Sequence, residues 1–154
     1  MSVLNPPRHP IVAAALGLAK SWCRGHIIDD APALAHAARV ARTLVTHHPG
    51  APANLVAAAL LHDAPGFAPP HLNLCAYLDA HIHPGVGRLV AAIHAKHVRM
   101  SYGAQPTPDP DPAVTIVLAA DKAVAFRALL RRARRSGDTL PASIYISPPP
   151  IPRG

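Results

Sequence analysis

A chain of 154 residues fits a single domain, long enough to bury about 68–70% of the surface its unfolded form would expose. Half of the residues are apolar and only 4% are aromatic, so the core must be built from Ala, Leu, Val and Ile, a composition that favours helix. A formal charge of +7, from 15 Lys and Arg against 8 acids, favours anionic partners, and two cysteines are too few for a disulfide framework or a zinc ribbon.

The first predicted helix runs from Pro10 to about Arg24, with Pro10 at a position that tolerates it and Gly25 beyond its end. Its apolar stretch, Ile11–Ala19, is shorter than the roughly 20 residues a bilayer requires. Lys20 and Trp22 stand where a leader would have its small-residue cleavage site. With Cys23 and Cys75 read as free thiols of a reducing compartment, the expected location is cytoplasmic, with no membrane association. A second helix follows Asp29-Asp30, either of which can cap it, and runs to about His47, where Pro49-Gly50 ends it. Leu34, Val40, Leu44 and Val45 form its apolar stripe, and Arg39 and Arg42 can face water.

A third helix, Pro52 to about Asp63, is apolar on nearly all sides, as a central buried helix must be. Pro65-Gly66 and Pro69-Pro70 bracket a loop, and helices around 71–80 and 84–98 follow. The Pro-rich segment 106–112 leads into a last helix, about 113–135, whose end carries Arg131, Arg132, Arg134 and Arg135, where cations suit the negative end of the helix dipole. The predicted fold is therefore all-α, a compact bundle of about five to six helices over residues 1–136, with a Pro-rich C-terminal tail over 137–154.

Most of the eleven histidines require no special role. His47 and His48 fall at a helix end that welcomes imidazole, and His71, His81 and His83 fall in or beside loops. The setting of His62-Asp63 is different: the run Leu55–Leu61 delivers both to the end of a buried helix, where an unpaired carboxylate would be costly. Ordinary capping is the competing reading. His36, within Leu34-Ala35-His36-Ala37-Ala38, and Asp121, within Val117-Leu118-Ala119-Ala120-Asp121-Lys122, each place a polar group in an apolar stretch of another helix. A satisfied core histidine and an Asp paired with Lys122 or an Arg remain open. Together, two imidazoles and two carboxylates make a mixed N/O set suited to a first-row divalent ion.

His36, then Ala59-Leu60-Leu61-His62-Asp63, then Ala119-Ala120-Asp121-Lys122, in that order and on those helices, resembles the HD superfamily of metal-dependent phosphohydrolases. The spacing is most similar to guanosine tetraphosphate (ppGpp) hydrolase domains of RelA/SpoT type and their small stand-alone relatives. Leu61-His62-Asp63-Ala64-Pro65 also resembles the deoxynucleotidase-like HD proteins. The similarity covers about residues 10–135.

The resemblance implies an HD-type bundle in which His36, His62, Asp63 and Asp121 bind one divalent transition-metal ion. Mn²⁺ is the first choice, with Fe, Co, Ni or Zn as alternatives. It implies hydrolysis of a nucleotide or related phosphorylated metabolite by a metal-bound water, with Arg24, Lys96 and Lys122 as candidates for holding the substrate. The chain departs from the pattern where the family has a Glu three residues after the Asp of the pair, often with a further acid next to it. Gly66 and Phe67 stand there, Ala125 replaces an Asn of the ppGpp hydrolases, and all eight acids are Asp. A general base contributes typically 10²–10⁴-fold, so the alternative is a catalytically degenerate HD domain that binds metal and nucleotide as a regulatory or sensor module. Nucleic-acid binding through Arg127–Arg135 is supported by charge alone, without interleaved aromatics. A homodimer stays open.

Overall fold

A computed structural model describes residues 8–137 apart from 106 and 108. In chain order the elements are α1 (Pro10–Trp22), β1 (Ile27–Ile28), β2 (Ala31–Pro32), α2 (Ala33–His47), α3 (Ala53–Leu60), α4 (Ala64–Phe67), α5 (Leu74–His81), α6 (Val86–Ser101) and α7 (Pro112–Ser136). The fold is all-α, with seven helices among the described residues, one more than the periodicity indicates. The additional helix, α4, is a single turn containing Pro65 and Gly66, residues whose presence argues for a loop. The predicted C-terminal tail falls almost entirely outside the described residues.

The bundle is organised around α3. All six residues Leu55–Leu60 are buried, and α3 packs against α1, α2, α6 and α7. Ala57, Ala58 and Ala59 are fully buried, and their small side chains let four helices approach one short axis. The stripe on α2 runs Ala33, His36, Ala37, Val40, Ala41, Leu44, the i, i+3, i+4 spacing of one helix face. The stripe on α7 runs Val114, Val117, Leu118, Asp121, Val124, Ala128. His36 and Asp121 therefore occupy positions that the helical period assigns to the core.

Asp29 and Asp30 do not cap α2, contrary to the expectation from sequence. Both have positive φ (52° and 59°) and form the two-residue turn of the β1–β2 hairpin, with Ile28 paired to Ala31, as in a type I′ turn. The N-cap of α2 is Pro32, which makes no side-chain cap bond. Arg132 of α7 fastens the hairpin by donating from Nε to Asp30 Oδ2 at 2.7 Å. His48, expected on the surface, is buried at the end of α2.

The backbones of α5 and α6 approach closely at Gly87. A Cβ at Gly87 would sit 2.7 Å from Cys75 Cα and would overlap the Cys75 carbonyl oxygen. Gly87→Ala is expected to destabilise the domain by at least about 1–3 kcal/mol, the cost of overpacking, because the obstructing atoms are backbone. A lowered midpoint in denaturant at unchanged slope would register it.

Candidate metal centre

His36, His62 and Asp121 are buried and bring one ligand atom each to within 4.8 Å of the others, a group that could hold a metal ion. Three elements supply them. His36 comes from the first turn of α2, Asp121 from the middle of α7, and His62 from the turn that follows α3. Asp63 joins them from that same turn. It is the N-cap of α4, yet its side chain makes no cap bond, so capping does not account for this carboxylate.

The donor atoms converge closely. His36 Nε2 lies 2.9 Å from Asp121 Oδ1 and 3.8 Å from Asp63 Oδ2. His62 Nε2 lies 3.1 Å from Asp63 Oδ2 and 3.5 Å from Asp121 Oδ1. Two donors bound at about 2.1 Å to one ion stand about 3.0 Å apart at right angles and about 3.4 Å apart at the tetrahedral angle. Three of the four separations lie near those values, and the His36–Asp63 separation of 3.8 Å is wider. Two of the four donor atoms, His62 Nε2 and Asp63 Oδ2, are buried without a hydrogen-bond partner. Their short separation lacks hydrogen-bond alignment, and such orphaned atoms are costly unless a cation receives their lone pairs.

The His62 imidazole is also oriented from behind. His62 Nδ1 donates to the Ala59 carbonyl at 2.7 Å, which leaves the Nε2 lone pair directed inward. His36 Nδ1 stands 3.4 Å from Asp29 Oδ2, but neither atom has a hydrogen-bond partner among the described residues. A carboxylate or carbonyl on the far nitrogen is the usual support for a metal-binding histidine, since it sets the tautomer and raises basicity. On the opposite side, His97 Nδ1 of α6 stands 3.3 Å from Asp121 Oδ2, so each Asp121 oxygen has an imidazole partner. Exposure identifies the open side: the Asp63 side chain is 24% exposed and that of His97 is 46% exposed, while His36 and His62 lie beneath.

Without an ion the cluster binds protons. Burial opposes charge on His62, but the adjacent carboxylates of Asp121 and Asp63 outweigh it and raise its pKa to about 10. Burial raises Asp63, yet His62 and His36 bring it below the usual carboxylate range. Asp121 is likewise depressed by its three imidazoles against the effect of burial. The hydrogen bond to Asp121 raises His97. Burial, with the Asp63 charge adding to it, pushes the Cys23 thiol above its usual pKa.

A metal must displace the His62 proton, so apparent affinity should strengthen with rising pH up to about 10. The metal-free fold behaves differently. His62, raised above its unfolded value, contributes stability fully below about 6.5 and loses it as pH rises through about 10. Asp63 and Asp121, lowered, contribute stability above about 3.8 and lose it as pH falls. Metal titrations in buffers of different ionisation enthalpy, repeated across pH, would count the released proton. A pH-independent affinity between 6 and 9 would contradict the arrangement.

The candidate substrate cations are less closely assembled. Lys96 is held by Asp109 at 3.4 Å and donates to the Thr107 carbonyl, so its charge is engaged by the segment preceding α7. Arg24 is exposed and Lys122 half-buried, and neither has an ion pair among the described residues. His97 was not singled out from the sequence. Its signal was spacing: it falls one turn beyond Ile93 on the α6 stripe Val86, Leu89, Val90, Ile93. No family model, curated protein or solved structure matches the chain, so its resemblance to HD proteins rests on these residues and their placement. No helix among the described residues is long and apolar enough to cross a membrane.

Proposed function

We propose that the protein is a metal-dependent phosphohydrolase of HD type that acts on a nucleotide or related phosphorylated metabolite. The observation that carries this reading is the convergence of His36 Nε2, His62 Nε2, Asp63 Oδ2 and Asp121 Oδ1 at separations of 2.9–3.8 Å. These four groups would hold one divalent ion, with Mn²⁺ favoured by the mixed N/O set. Such an ion lowers the pKa of water and neutralises charge on phosphate oxygens. The Ala59 carbonyl orients His62, Asp29 stands beside His36, and His97 stands beside Asp121. The open side at Asp63 and His97 is where a phosphate would enter, with Arg24 and Lys122 as candidates for holding it.

A second reading, a domain that binds metal and nucleotide without efficient turnover, is favoured by Gly66 and Phe67. Phe67 stacks on His26 with ring centroids 4.2 Å apart, and Gly66 is exposed, so neither supplies a base. Asp29, another carboxylate beside the cluster, stands 3.4 Å from His36 Nδ1.

The two readings separate in an assay of Mn²⁺-loaded protein against nucleotides and phosphate esters. The enzyme reading expects turnover that Asp63→Ala abolishes. Tight nucleotide binding with no turnover across the panel would favour the sensor. Absence of bound metal from protein purified without chelator and then supplied with Mn²⁺ would overturn both.

A further inference from the structure

On α2 and α7 lies a feature that the metal centre does not use. Two clefts adjoin there, one of ≈ 150 Å³ between Arg39, Arg42, Arg127 and Arg131 and one of ≈ 480 Å³ between Arg39, Arg131, Arg134 and Arg135. Arg39 and Arg131 belong to both, so the two form one continuous concavity lined by six arginines. Among the described residues none of these six makes an ion pair or a side-chain hydrogen bond. Among the described residues the carboxylates on the rim are Asp29, which stands 3.4 Å from His36 Nδ1, and Asp30, which is held by Arg132.

The helix dipole accounts for Arg134 and Arg135, which lie in the last turn of α7. It does not account for Arg39 and Arg42, which lie in the interior of α2 and reach the same concavity from the other helix. Six like charges around one depression repel one another, and a chain with eight acids against 15 Lys and Arg offers few of its own to relieve them. Guanidinium groups present planar forks that match phosphate oxygens two at a time. The larger cleft falls in the size range of small-ligand sites, about 300–1,000 Å³. Binding of single-stranded nucleic acid would call for aromatics interleaved with the charges, and among the described residues no aromatic lines either cleft.

We propose that this concavity is a binding site for a small polyphosphate anion, separate from the metal centre. Arg39 and Arg131 are its central contacts. The phosphate chain could belong to a nucleoside polyphosphate or to inorganic polyphosphate.

The test is calorimetric titration of chelator-treated full-length protein, so that the outcome does not depend on the metal reading. Inorganic tripolyphosphate should bind saturably, and Arg39→Gln with Arg131→Gln should weaken it by about tenfold or more. Lys20→Gln with Arg99→Gln removes the same charge from exposed residues on α1 and α6 and should leave binding within about twofold. Arg39→Lys with Arg131→Lys keeps the charge, guards against a folding artefact, and should still weaken binding severalfold by removing the forks. Equal affinity for nucleoside triphosphates and tripolyphosphate would assign the phosphate chain alone. Tighter nucleotide binding with the same variant sensitivity would assign a nucleotide. The proposal is overturned if tripolyphosphate does not bind, if both double Gln variants lose affinity equally, or if an oligonucleotide binds and tripolyphosphate cannot displace it.

Discussion

Asp121→Ala is expected to abolish metal retention and to destabilise the metal-free fold by about 3–5 kcal/mol, the cost of removing one partner from a buried ion pair. Asp121 supplies one donor atom, Oδ1, within 2.9 Å of His36 and 3.5 Å of His62, and its other oxygen faces His97. Its loss leaves three imidazoles around a space with one remaining carboxylate, Asp63. His62 then loses much of what holds its pKa near 10, and it can escape the cost of buried charge by giving up its proton. The destabilisation should therefore be greatest at neutral pH and shrink as pH rises through about 10, where the wild-type imidazole is also neutral.

Asp121→Asn separates the two effects. It keeps the volume and one carbonyl oxygen, so it should fold more stably than the alanine variant while still losing the ion. Urea denaturation in chelator reads the first quantity and elemental analysis of purified protein reads the second. An alanine variant that retains one ion per chain would remove Asp121 from the ligand set.

The second large effect is a gain. Gly66 lies three residues beyond Asp63, on the single turn of α4, so the two share one side of that turn. A Cβ at Gly66 meets nothing within 4 Å, and its φ is not among the positive values. Gly66→Glu should therefore be accommodated, at little cost to the fold. If the missing carboxylate is what limits turnover, the substitution should raise kcat by about 10²-fold, the lower end of general-base contributions, with KM little changed. Gly66→Gln, of the same shape and without the base, should not. Equal rates for wild type and both variants would locate the limitation elsewhere and strengthen the sensor reading. Metal content must be the same in all three for the comparison to hold.

The candidate ligands were legible because polarity interrupts pattern. His36 and Asp121 fall at i, i+3, i+4 positions of stripes that are otherwise Ala, Val and Leu, and a polar group placed there must find a partner. His62-Asp63 was legible because the six residues before Leu61 are apolar without a break. His97 was less legible because α6 turns polar in its second half, where Lys96, His97 and Arg99 read as a solvated end. The turn at Asp29-Asp30 was misread because Asp serves equally as a helix cap and as a residue that tolerates positive φ. Only the chain's path to Ala31 and Pro32, paired back onto Ile27 and Ile28, selects the second use.

What the sequence by itself determined is local: an all-α chain, the positions at which Pro and Gly break it, the faces its helices bury, and the polar His36, His62 and Asp121 set within buried apolar stretches. These follow from backbone sterics and from the helical period, which act within a few residues. The tertiary structure alone decided that Asp63 makes no cap bond and lies among the other three donor side chains, and that Asp29 and His97 flank that group on two sides. It also brought the arginines of α2 and α7 to one concavity. Such juxtapositions depend on how helices cross around the alanine-rich α3, and close packing sets that crossing over the whole core at once.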